Sequence, residues 1–168
     1  MDAIQLIVRA LQLLWTLLIT ALIGNVIASN INGQMGSINF AMFVAALSWV
    51  AALYGLVAAF VESIAIPIVL LALDGLSTLF TLIAGIVLAA KLHAANCGGN
   101  LQDHYGSGWI GFGSANDEKR CREIQASTAF MWFLFACFAV GVFFTFMGFR
   151  RGGASVRSGG PHMSQVRV

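Results

Sequence analysis

The chain has 168 residues, of which 59% are hydrophobic and only 10% are charged, and its formal net charge is +2. Its mean hydropathy of +0.85 is far above that of soluble globular domains. This composition excludes a soluble enzyme, gives no reason to expect a nucleic-acid partner, and indicates an integral membrane protein.

Four apolar runs are long enough to cross a bilayer, whose core of about 30 Å needs roughly 20 residues of helix. The predicted spans are about 11–28, 38–61, 66–90 and 126–149. Because no segment alternates polar and apolar residues as a barrel strand does, the spans must associate as helices. The sequence therefore predicts an all-α bundle of four transmembrane helices over residues 1–149, followed by a flexible basic tail over residues 150–168.

The start of the first span allows more than one interpretation. Apolar side chains recur at helical spacing before Leu11, so this segment either lies along the membrane surface or is an early start to the span. The small residues before Ser29 also resemble a signal-peptide cleavage site. Asp2 and Arg9 make a poor basic region for a signal peptide, and the apolar run is already long enough to cross a bilayer. We therefore expect this segment to be retained in the mature protein.

Small residues at spacing four should line the contacts between helices, because helices associate in lipid through close backbone approach. Such columns occur in three spans, although with 18 glycines in the chain some columns could arise by chance. The residues predicted at helix contacts are Ala51, Gly55 and Ala59 in the second span, Ser77, Thr81, Gly85 and Ala89 in the third, and Cys137, Gly141 and Thr145 in the fourth. The many phenylalanines of the fourth span are expected to face lipid.

Asp74 is the one acid well inside a predicted span. A charged acid near a helix centre costs about 2.5–3.5 kcal/mol on insertion scales, so we expect Asp74 to face the bundle or to be protonated. No lysine or arginine lies within the four predicted spans. The expected partners are therefore neutral donors on neighbouring spans, namely Ser48, Trp49, Asn25 and Tyr54.

The candidate polar switch consists of Asp74, Ser77 three residues further on, and Glu62 at the span boundary. A structural or gating role is the main interpretation. A lipid-headgroup contact and an ion or proton site in a small channel or transporter are the alternatives, although a transporter usually needs a chain of such groups.

Two cysteines, Cys97 and Cys121, share the polar loop between the third and fourth spans. Outside the cell they would oxidise, so we predict a disulfide; the alternative is two free thiols. Metal ligation together with His93 and His104 matches no ligand spacing such as C-x-x-C. We therefore expect no metal, no cofactor and no catalytic residue.

Orientation depends on the basic residues, which are almost evenly divided between the two sides. Arg150 and Arg151 directly follow the last span, whereas the basic residues of the loop sit beside acids. We therefore expect both termini to be cytoplasmic. Arg150 and Arg151 would each add about 1 kcal/mol of attraction to an anionic inner leaflet.

A resemblance to a known family is carried by the run YGLVAAFVESIAIPIVLLALDGLSTLFTLIAGIVLAAKLHAANC, by RCREIQASTAFMWFLFACF and by the tail segment MSQV. Together they resemble the fungal non-classical export protein 2 family, whose members are four-span proteins of the MARVEL class. The resemblance runs from about Ala41 to Phe144. The loop segment GSGWIGFGSANDEK and the sparsely basic tail depart from the family pattern.

The resemblance implies a MARVEL-like, non-enzymatic organiser of plasma-membrane microdomains, both termini cytoplasmic. Such proteins occupy eisosome-associated patches, respond to sphingolipids and take their name from an effect on non-classical protein export. The implied partners are membrane lipids (sphingolipid, sterol and the anionic inner leaflet), further copies of the same chain, or eisosome proteins.

Overall fold

The computed structural model describes residues 3–31, 33–61, 64–93, 96–98, 105–106 and 108–156, and only the backbone of 149 and 151–156. It contains four long helices: α1 (Ala3–Ala28), α2 (Gly36–Phe60), α3 (Pro67–Leu92) and α4 (Asp117–Val156). Each helix includes a segment long and apolar enough to cross a membrane. This confirms the predicted four-helix membrane bundle.

The helices pack in chain order around a closed ring, since each contacts the next and α1 also contacts α4. Short connections force α1, α2 and α3 to run alternately up and down. A disulfide between Cys97 and Cys121 holds the end of α3 to the start of α4. The N-terminus of α1 and the C-terminus of α4 therefore lie at one end of the bundle, here called the terminal end. The described residues between 93 and 116 lie at the other, the loop end.

Helix boundaries follow local sequence signals at α3. It begins with Pro67, at a position where a missing N–H removes no helical hydrogen bond. It ends at His93, which adopts the left-handed conformation with φ 56° and donates its N–H to the carbonyl of Ala89. This closure satisfies a carbonyl that the end of the helix would otherwise leave unpaired.

Two boundaries differ from the sequence prediction. Helix α1 is continuous from Ala3, so the segment before Leu11 is an early start of the helix and Arg9 lies inside it. Helix α4 begins at Asp117 and continues to Val156, past the predicted end of the span at residue 149. The flexibility of the tail stays a prediction, because residues 157–168 lie outside the described part of the chain.

The bundle buries aliphatic and small side chains and exposes large apolar ones, as expected where lipid replaces water. Fully buried residues include Ile19, Ile23, Val44, Leu88 and Met131. The phenylalanines of α4 divide between the two environments. Phe133, Phe143 and Phe146 are exposed, whereas Phe138 is completely buried, so not all of these rings can face lipid.

Most residues of the predicted small-residue columns lie at helix contacts. Buried members are Ala51, Gly55, Thr81, Gly85 and Gly141, together with Ser77, while Ala59 is half-buried. The prediction is wrong for Ala89, which is exposed. A column of spacing four drifts by about 40° per step, so by Ala89, three steps after Ser77, it has turned about 120° away from the contact.

Candidate functional site

Asp74 of α3 faces the interior of the bundle, where it is 0% exposed. Its partner is Arg9 of α1. The two nitrogens of the Arg9 guanidinium donate to the two carboxylate oxygens: Nη1 lies 2.7 Å from Oδ1, and Nη2 lies 2.6 Å from Oδ2. A two-point guanidinium–carboxylate pair of this kind is both strong and geometrically specific. The charge of Asp74 is therefore compensated inside the bundle.

The predicted neutral partners of Asp74 are wrong, because all four make their hydrogen bonds elsewhere. Ser48 donates to the carbonyl of Val44, Trp49 to Thr20 Oγ1, Asn25 to Glu123 and Tyr54 to the carbonyl of Ile64. The predicted first span begins after Arg9, so Arg9 was not among the expected partners of Asp74. Since α1 starts at Ala3, Arg9 lies about 9 Å along its axis, and Asp74 lies about 10 Å along α3, so the two charges face each other at the same depth.

A buried amide extends the pair to a third helix. Arg9 Nη1 also donates to Gln12 Oε1 at 3.0 Å, and Gln12 Nε2 donates to the backbone carbonyl of Cys137 in α4 at 3.3 Å. Gln12 is 0% exposed. The Arg9–Gln12–Asp74 network therefore links α1 to both α3 and α4.

Two glycines give the network its space. A Cβ added at Gly55 of α2 would overlap the Arg9 guanidinium, and one added at Gly141 of α4 would lie 3.2 Å from Gln12 Nε2. All four helices thus contribute to the site. The small-residue columns found in the sequence serve here to admit long polar side chains.

A family model described as the MARVEL membrane-associating domain matches residues 3–144. The chain belongs to this family. That match includes Arg9, Gln12, Asp74 and both framing glycines. The network thus lies within the MARVEL domain itself.

Similar proteins place the chain in the non-classical export protein 2 family. Non-classical export protein 2 of Saccharomyces cerevisiae is 35% identical over 133 residues, which is 79% of this chain and 73% of the relative. Non-classical export protein 102 of Candida albicans is 34% identical over 170 residues, covering 96% and 97% of the two chains. Non-classical export protein 2 homolog 1 of Saccharomyces cerevisiae is 29% identical over 154 residues, 91% of this chain and 85% of the relative. No solved structure matches the chain.

The MARVEL bundle has a cavity of about 260 Å³ beside the network at the terminal end. Arg9 forms part of its wall, with Gly55, Pro67, Gly141 and Thr145. The walls come from all four helices. A change in how the helices pack at this end would therefore alter the surroundings of the ion pair directly.

Ser77 and Arg150 do not join the network. Ser77 is buried, and its hydroxyl has no hydrogen-bond partner among the residues described. Glu62 lies outside the described residues, as does the side chain of Arg151. Arg150 is exposed, with its guanidinium 5.8 Å from the centre of the Phe146 ring.

The predicted disulfide is confirmed. Cys97 and Cys121 are bonded, with their Cα atoms 5.7 Å apart, and both residues are buried at the loop end. Both sulfurs are thus in the bridge, which removes the alternative of two free thiols. His93 is exposed at the end of α3, and His104 lies outside the described part of the chain.

Substituting Gly55 by alanine should lower the free energy of unfolding by about 1–3 kcal/mol, because the new methyl group overlaps the Arg9 guanidinium and pushes it away from its bonds to Asp74. Unfolding in mixed detergent micelles, followed by far-ultraviolet circular dichroism, measures the change. Gly75→Ala is the matched control, since a Cβ there meets nothing within 4 Å. Equal stability of the two variants would show that Gly55 does not limit the packing around Arg9.

Proposed function

We propose that this MARVEL protein is a non-enzymatic organiser of plasma-membrane microdomains that responds to sphingolipids. It would act in sterol-rich, eisosome-associated patches, alone or with further copies and eisosome proteins, and thereby affect non-classical protein export. Membership of the family and the names of its relatives support the link to export. The structural observation that carries the proposal is the two-point ion pair between Arg9 and Asp74.

The ion pair suits a device that responds to its surroundings through helix packing. A buried pair gives up the hydration of both ions in exchange for their mutual attraction, so its net stability depends closely on geometry. Here the geometry depends on α1 and α3 staying in contact, with Gln12 holding α4. A change in lipid that separates the helices at the terminal end would weaken the pair and favour a different packing.

Orientation with both termini in the cytoplasm is part of the proposal. Arg150 and Arg151 follow the last span, which supports it through the excess of positive charge found on cytoplasmic sides. The disulfide at the loop end supports it as well, because disulfides persist in oxidising compartments. In this orientation Arg150 and Arg151 would approach the anionic inner leaflet.

The ion pair argues against the alternative of a channel or transporter that uses Asp74 as an ion site. Both oxygens of Asp74 accept hydrogen bonds from Arg9, and a cation would have to displace a buried guanidinium to bind there. Flux of protons or cations in proteoliposomes that Asp74→Ala abolishes would reverse this preference.

The proposal predicts that a fluorescent copy occupies immobile patches in a fungal plasma membrane and disperses when sphingolipid synthesis is blocked. An Asp74→Asn variant should lose this response, because one neutral oxygen can no longer balance the charge of Arg9. Gly75→Ala, outside the network, should respond like the native chain. Each variant is first shown to reach the surface. A native protein that is evenly spread and indifferent to sphingolipid would overturn the proposal.

A further inference from the structure

A second cavity, of about 260 Å³, lies at the loop end, between the end of α1, the start of α2 and the side chain of Arg120 from α4. Three amide side chains line it: Asn30, Gln34 and Asn39. This polar cavity lies where the helices end, at the opposite end of the bundle from the Arg9–Asp74 pair.

Arg120 is a buried cation whose hydrogen bonds involve no carboxylate. It is 2% exposed, and it donates from Nε to the carbonyl of Ile110 and from Nη1 to the carbonyl of Val26, both at 3.1 Å. Its Nη2 faces the sulfur of Met35 at 3.6 Å, and a thioether is a weak acceptor. No acid comes within 4 Å of Arg120 in the described part of the protein.

The nearest acids are already engaged by other donors. Asp117 Oδ1 accepts the backbone N–H groups of Gly113 and Ser114, each at 3.1 Å. Glu123 Oε1 accepts from Asn25 at 2.6 Å and lies 3.7 Å from the ammonium of Lys119. Asp117 and Glu123 act on the charge of Arg120 through space but do not bond to it, so the guanidinium keeps spare N–H donors at the cavity.

The opposite wall adds donors and one acceptor. Gln34 and Asn39 place side-chain amides in this wall, and the N–H groups of these amides can donate to an anion. Asn30 contributes an Oδ1 that is buried with no hydrogen-bond partner within the described residues. The cavity therefore combines a positive side with an acceptor, which suits a ligand that carries both an anion and a hydroxyl group.

We propose that this cavity binds a phosphate-type anion, with Arg120 contacting the phosphate oxygens and Asn30 accepting from a hydroxyl group of the ligand. The source is either the phosphodiester of a lipid headgroup or free phosphate. If the ligand is a lipid headgroup, the inference rests on the proposed function, because the cavity would then be the place where the protein contacts lipid.

Binding is tested on the purified full-length chain in dodecyl maltoside micelles, which contain no phosphate. One arm adds inorganic phosphate and the other adds short-chain phosphatidylinositol. Thermal unfolding and native mass spectrometry report binding. A rise in the unfolding temperature or a bound-lipid mass with either ligand supports the site, and the arm that responds identifies the source. No response in either arm overturns it.

Asn39→Asp tests the location without disturbing the hydrogen bonds of Arg120. Asn39 is an exposed residue of the cavity wall in the first turn of α2, where an acid favours the helix but repels an anion. Affinity should fall about tenfold or more, since like charges at a contact are strongly unfavourable. Asn116→Asp makes the same charge change at the same end of the bundle but outside the cavity, and affinity should stay within about twofold. Equal affinities of the two variants would contradict the assignment.

Failure of this site and failure of the proposed function give different results. Binding to purified protein does not depend on patches in a cell, so an intact cavity with no sphingolipid response would disprove only the organiser role. Patches that respond normally in an Asn39→Asp variant that no longer binds would show that the lipid response does not use this cavity.

Discussion

Replacing Asp74 with alanine should lower the free energy of unfolding by about 3–5 kcal/mol, because the variant leaves Arg9 buried and without a counter-charge. Arg9 and Asp74 have side chains only 9% and 1% exposed, so little of either charged group is in contact with water in the native packing. Unfolding in mixed micelles, followed by circular dichroism, measures the loss. It should exceed the effect of Gly55→Ala, which displaces the pair but leaves both charges present.

The double variant Arg9→Met, Asp74→Leu provides the decisive control. Removing both charges removes the desolvation cost as well as the attraction, and buried pairs replaced by apolar residues are often as stable as the original. We therefore expect the double variant to recover most of the stability lost by Asp74→Ala. A double-mutant cycle with the single variants Arg9→Met and Asp74→Leu should give a large coupling energy. Additive losses would mean that the two residues do not act as a pair.

A large coupling energy in this double-mutant cycle would mean that Asp74 acts by holding the helices together. Arg9 and Asp74 join α1 to α3, and Gln12 joins the pair to α4. A network that spans three helices has few partly formed states, because loss of one bond leaves the other polar groups unpaired in lipid. Such cooperativity favours two distinct packings over a gradual change, as the proposed response to lipid would require.

Hydropathy was sufficient to predict the bundle, because long apolar runs have no other stable arrangement in a bilayer. It could not predict where α1 begins. A charge marks the edge of a span in a hydropathy profile, so the predicted first span begins at residue 11, after Arg9. The depth of the two charges along their helices would have indicated the pair. Arg9 and Asp74 lie at nearly equal distances from the starts of two helices that begin at the same end of the bundle.

Side-chain direction explains the other differences. Spacing predicted that Gly55 and Gly141 lie at helix contacts, but not that the space they leave is filled by Arg9 and Gln12. That requires knowledge of the facing helix. Arg120 sits in a highly charged run, DEKRCRE, that is typical of an exposed helix, yet it turns inward because backbone carbonyls of Val26 and Ile110 lie within its reach.

Removing the disulfide should also have a large effect, at the opposite end of the bundle. Replacing both Cys97 and Cys121 with serine should lower the free energy of unfolding by about 3.5 kcal/mol on the chain-entropy model, for a bridge that joins residues 24 apart in the sequence. Reduction of the native chain should have the same effect. Cys137→Ala, which removes the free thiol of α4, should leave the response to reductant unchanged.

The bridge should matter to Arg120 as well as to stability. Cys121 is its neighbour in the chain, and the bridge fixes the first turn of α4 against the end of α3, so that the Arg120 guanidinium reaches the carbonyl of Val26 in α1. Without the bridge this turn can fray, and phosphate binding at the loop end should weaken while the Arg9–Asp74 coupling energy stays the same. A loss of coupling in the bridge-free variant would instead show that the two ends of the bundle are linked.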